Sequence, residues 1–157
     1  MQMNHALLLA FAIGFVAGLR SLVTPAVVSW AAHLGWLPLR GTALGWMASP
    51  VAVGVISVLG VLELIADVAP MTPPRTAPAS LAVRVVTAGL CGACLATAGG
   101  AALWAGVVLG IVGAMIGAYA GLYARRGLVN GLKVRDFFIA IPEDIVAIGL
   151  AYLIARR

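Results

Sequence analysis

Residues 102–126 read ALWAGVVLGIVGAMIGAYAGLYARR: twenty-three residues without a charge, closed by two arginines. As a helix rising 1.5 Å per residue, such a run is about 35 Å long and covers the ~30 Å hydrocarbon core of a bilayer. Gly106, Gly110, Gly113, Gly117 and Gly121 recur in it at three- and four-residue spacing, so they share one stripe of the helix. Missing side chains let a neighbouring backbone come close, and close packing is what associates helices where lipid supplies no hydrophobic drive. The stripe fits another helix of the same chain or a second copy of it.

The rest of the 157 residues has the same character. Hydrophobic residues make up 63% and charged residues 10%, with a mean hydropathy of +1.10. A soluble domain carries about 25% charged residues, so too little polar material is present to cover a water-facing surface. The class is an all-α, polytopic transmembrane bundle, with 1–157 as a single transmembrane domain. The net charge of +5 sits beside apolar runs, which points to lipid headgroups rather than nucleic acid. Membrane lipids are therefore the expected partner, with a homodimer through the glycine stripe as a second. No cationic segment precedes ALLLAFAIGFVAGL, so the first helix reads as retained rather than as a cleaved signal.

Charges and prolines divide the chain into five crossings: 5–23, 46–66, 78–99, 102–124 and 136–155. Thr24-Pro25 restarts a helix, with Thr24 as its cap and Pro25 in its first position. That piece, 25–37, is too short to cross and carries Trp30, His33 and Trp36 at helical spacing. It reads as a re-entrant or interfacial segment, with a sixth crossing as the alternative. Arg75, Arg84, Arg125, Arg126, Lys133 and Arg135 share one face, and Arg40, Arg156 and Arg157 the other. This bias places the loop 67–78 on the cytoplasmic side of the membrane.

Cys91 and Cys94 form a CxxC inside an apolar run with no other thiol in the chain, which fits helix packing better than redox or metal chemistry. Neither an HExxH pattern nor a credible Ser-His-Asp set is present. No metal, cofactor or enzymatic activity is expected.

The chemistry lies in the scarce charges. Glu63 and Asp67, one helical turn apart, face the same way. Glu143 and Asp144 fall about 12 Å inside the boundary marked by Arg135. An ionised carboxylate at such a depth costs about 3 kcal/mol, so it must pair, protonate or face water. Pro142 also permits a shorter last helix starting at 142, with 136–141 irregular. Arg20, Arg75 and Arg84 are the available cations. Arg20, Glu63, Asp67, Arg75, Arg84, Glu143 and Asp144 thus form a candidate buried charge network.

Three motifs, GLR at 18–20, ELIAD at 63–67 and ED at 143–144, lie in a chain that resembles, over roughly 10–155, a family of small bacterial integral membrane proteins of unknown function. Val68 stands where the resemblance leads one to expect a basic residue. The resemblance implies a fold family and a bacterial membrane, and no activity.

Two functions compete. One is a small transporter or channel for an anionic solute or lipid headgroup, built on the buried charges. The other is a non-catalytic structural or interaction protein in which those charges tie helices together.

Overall fold

The computed structural model describes residues 3–68, 77–132 and 137–156; at 67, 68, 125, 128–132 and 137–144 only the backbone is described. Among these residues the fold is all-α. The elements are α1 (Met3–Leu19), α2 (Val23–His33), a short 3₁₀ helix (Gly45–Ala48), α3 (Pro50–Val68), α4 (Pro78–Ala98), α5 (Leu103–Leu132) and α6 (Phe137–Ala155). Pro50 and Pro78 open α3 and α4, where a missing N–H costs nothing. Gly99-Gly100 closes α4, and Gly100 takes the positive φ of 74° that the turn into α5 needs.

Two stretches are long and apolar enough to cross a membrane: Pro78–Ala98 and Leu103–Ala124. The apolar parts of α1, α3 and α6 are shorter, so two of the five expected crossings reach full length among the described residues. α6 runs unbroken from Phe137, so Pro142 lies inside it and does not start it.

The glycine stripe is used within the chain. α5 lies in the groove between α1 and α4, antiparallel to α4 and parallel to α1. A methyl group on Gly106 or Gly110 would overlap backbone atoms of Gly92 or Ala88 in α4; one on Gly113 or Gly117 would overlap Phe11 or Phe15 in α1. The relation is mutual, since a methyl on Gly14, Gly18 or Gly92 would overlap carbonyl oxygens of α5. Gly121 is also buried. Helices this close gain dispersion and Cα–H···O contacts along their whole backbones.

α2 turns back on α1. Its first residues meet Glu63 near the end of α3, and its last, His33, bonds the Ala48 carbonyl just before α3 begins. α2 therefore runs antiparallel to α3, from the level of Glu63 back to the start of α3. It does so with only 11 residues. Its inner face, Val28, Ala31 and Ala32, shares one core with Ile13 and Val16 of α1, Cys91, Cys94 and Leu95 of α4, and Ala147 and Ala151 of α6. Both cysteines are free and buried there as small apolar side chains.

Candidate functional site

The turn between α1 and α2 breaks the backbone ladder. The Arg20 N–H still bonds the Val16 carbonyl, at 2.9 Å, and α2 begins only at Val23. A helix end leaves its last carbonyls and a helix start its first amides without intrahelical partners. Both sets meet here, and the turn is not at the surface. Glu63 lies five residues before the end of α3, and Arg84 six after the start of α4. The break is thus about 8 Å short of the ends of its neighbours. Arg20 is 1% exposed, Thr24 0% and Ser21 7%.

Two charged side chains from other helices satisfy it. Glu63 Oε1 accepts from the Ser21 N–H at 2.8 Å and from the Ser21 hydroxyl at 2.5 Å. Its Oε2 accepts from the Leu22 N–H at 2.8 Å and the Val23 N–H at 3.0 Å. On the other side of the break, Arg84 Nη1 donates to the carbonyls of Gly18, at 2.7 Å, and Leu19, at 3.0 Å. The signs match the helix dipoles: a carboxylate at the positive start of α2, a guanidinium at the negative end of α1. Thr24, expected to cap α2, instead donates its hydroxyl to the Arg20 carbonyl at 2.8 Å. The residue before α2 is Leu22, which has no side chain to cap with, so the cap comes from Glu63, some forty residues away.

Three of the seven charged residues singled out from the sequence, Arg20, Glu63 and Arg84, therefore meet at the segment 18–23. The side chains of Asp67, Arg75, Glu143 and Asp144 lie outside the described residues. Arg84 is 5% exposed, so it is an interior group and leaves the count of flanking cations at five against three. Ser21 is the participant that sequence reading missed. Its only signal was its place beside Arg20.

The opposite end of the bundle is aromatic. Trp30, Trp36, Trp46 and Trp104 all gather there, each at least 40% exposed. Trp30 Nε1 donates to Ser57 at 3.0 Å, and the Trp36 ring meets Tyr152 edge-on. Among the described residues, no group of three or more His, Cys, Asp or Glu side chains comes together to hold a metal.

Over residues 7–156 the sequence matches the model of a family described as a domain of unknown function, DUF4126. The chain belongs to that family. No curated protein and no solved structure matches this DUF4126 chain.

Proposed function

We propose that the chain is a multi-pass protein of the bacterial inner membrane whose buried charges tie a broken helix together, a structural or interaction role rather than a catalytic one. One observation carries this reading. A carboxylate offers about four acceptor positions, and Glu63 receives four donors from residues 21–23 of its own chain. No acceptor capacity is left for a solute. Irregular backbone at membrane depth is tolerated only when protein satisfies it, and Glu63 with Arg84 does so here. The alternating helix directions, α2 included, bring both termini to the aromatic end. The remaining cations then favour a cytoplasmic loop at 67–78.

A second reading, a small transporter for an anionic solute or lipid headgroup, is favoured by the break itself and by the buried Arg20 beside it. Interrupted helices inside a bundle are where secondary transporters place their substrates.

Glu63→Gln separates the two. Under the tie reading it lowers the unfolding temperature in detergent, and proteoliposomes show no anion flux that depends on Glu63. Unchanged melting together with a loss of flux would overturn the tie in favour of transport. Recovery of the wild-type protein in the soluble fraction after alkaline extraction would overturn the membrane assignment itself.

A further inference from the structure

We propose that the pocket at the tryptophan-rich end binds the headgroup of an anionic phospholipid, with Arg40 taking the phosphate. The pocket has a volume of about 370 Å³, and its wall is divided by chemistry. His33 and Arg40 supply the polar part, and Leu34, Leu37 and Pro38 the apolar part. A phospholipid changes from charged to apolar over the same few ångströms, between its phosphate and its first acyl carbons.

The aromatic side chains set the depth. Trp30, Trp36 and Trp46 lie around this segment at 49%, 40% and 51% exposure, and Trp104 is 71% exposed. Indole rings with one apolar face and one N–H collect at the headgroup level of a bilayer. All four tryptophans of the chain lie at this one end, which puts the pocket mouth among the phosphates. A second exposed cation is close by: Arg156 donates to the Tyr152 hydroxyl at 3.4 Å, and Tyr152 touches Trp36.

The loop that forms the pocket is built rigidly. Leu37 and Leu39 are buried at 5% and 0% and anchor it on either side of Pro38. Gly35 and Gly41 take φ of 80° and 85°, which fixes two sharp bends and places Arg40 between a buried leucine and the second bend. His33 Nδ1 donates to the Ala48 carbonyl at 2.9 Å, holding the imidazole in place. The end of α2 would repel an anion if its carbonyls were bare. Those of Trp30, Ala31 and Ala32 are not, because the N–H groups of Leu34, Gly35, Trp36 and Leu37 bond them. A site arranged in advance loses little entropy on binding, and a guanidinium–phosphate contact is the strong, charge-assisted kind.

This inference rests on the membrane assignment above, and the test keeps the two apart. The full chain in phosphatidylcholine nanodiscs is titrated with phosphatidylglycerol, and retained lipid is counted by native mass spectrometry while the melting temperature is followed. The expected result is one tightly retained phosphatidylglycerol and a rise in melting temperature. Arg40→Ala weakens retention roughly tenfold or more, as loss of a charged hydrogen bond should. Arg126→Ala, an exposed arginine elsewhere on the chain, leaves retention intact. Should Arg40→Ala fail to fold, His33→Gln provides the second variant and is expected to weaken retention. Equal retention in wild type and in the pocket variant, or a preference abolished by Arg126→Ala instead, overturns the site. Stabilisation by inorganic phosphate alone, to the same extent and through Arg40, overturns the lipid as its source. A protein that is stable and monodisperse without lipid or detergent overturns the membrane assignment, and this site with it.

Discussion

Two regions of this bundle bring main chains together, and they do it by opposite means. Along α1, α4 and α5 the backbone is intact, and glycines alone let the helices touch. At the α1–α2 turn the backbone is broken, and a carboxylate and a guanidinium are needed. The difference follows from what the main chain offers. An unbroken helix has spent its polar groups on itself and asks a neighbour only for shape. A broken one presents several bare donors and acceptors, each costing about 1–3 kcal/mol if buried unsatisfied. The seam is thus sensitive to volume and the turn to charge.

The largest effect is expected from Gly110→Val. Its added carbons would meet the Ala88 carbonyl and the Gly92 backbone of α4, with nothing flexible to yield. We expect a loss of about 3 kcal/mol or more in detergent unfolding. A loss below about 1 kcal/mol would show that the seam is looser than its contacts imply.

Glu63→Ala comes next. It strips the first amides of α2 and the Ser21 hydroxyl of their acceptor. The expected cost is about 2–3 kcal/mol, and about half of that for Glu63→Gln, whose amide keeps one acceptor oxygen. Hydrogen exchange at Leu22 and Val23 should rise in both variants. Protection unchanged from wild type would mean that the amides have another acceptor.

Arg84→Ala is expected to cost about 1–2 kcal/mol, because two carbonyls lose a charged donor. Arg84→Lys should recover part of it, since an ammonium keeps the charge and its donors on a shorter side chain. Full recovery would show that charge alone matters and that the longer reach of the guanidinium does not.

Gly54→Ala is the smallest. This α3 glycine is exposed and has nothing within 4 Å of an added methyl. Helix propensity favours the change by about 0.5–1 kcal/mol, so the protein should be as stable as wild type or slightly more so. A marked loss would reveal a surface contact at α3.

Much of the helical layout is legible in the sequence. The apolar runs at 46–66, 78–99 and 136–155 lie within a few residues of α3, α4 and α6, because prolines and charges mark where those runs stop. The turn was not legible in the same way. Thr24-Pro25 has the local form of a helix start, yet the break falls at 20–22 and α2 begins at Val23. The deciding partner is Glu63, and a one-dimensional pattern does not say which distant carboxylate will cap a given set of amides. The direction of α2 was hidden for a related reason: only its contacts at both ends, with Glu63 and with Ala48, reveal that it runs antiparallel to α3. The 3₁₀ helix at Gly45–Ala48 left no recognisable signal. Arg20, Glu63 and Arg84 stood out as charges in apolar surroundings, but nothing in their spacing distinguished a link to backbone from an ion pair.

The parallel docking of α1 on α5 has a consequence for how the protein is made. Gly14 must wait for Gly110, ninety-six residues later in the chain. At roughly 5–20 residues per second, the ribosome needs about 5–20 s to deliver it. Throughout that interval the glycine face of the first helix lacks its α5 partner and is available to a wrong neighbour. A photo-crosslinker placed at Leu7 in nascent chains arrested after residue 98 should capture such outside factors, and the capture should fade once the chain has passed residue 132. Equal capture at both lengths would mean that the first helix finds its shelter some other way.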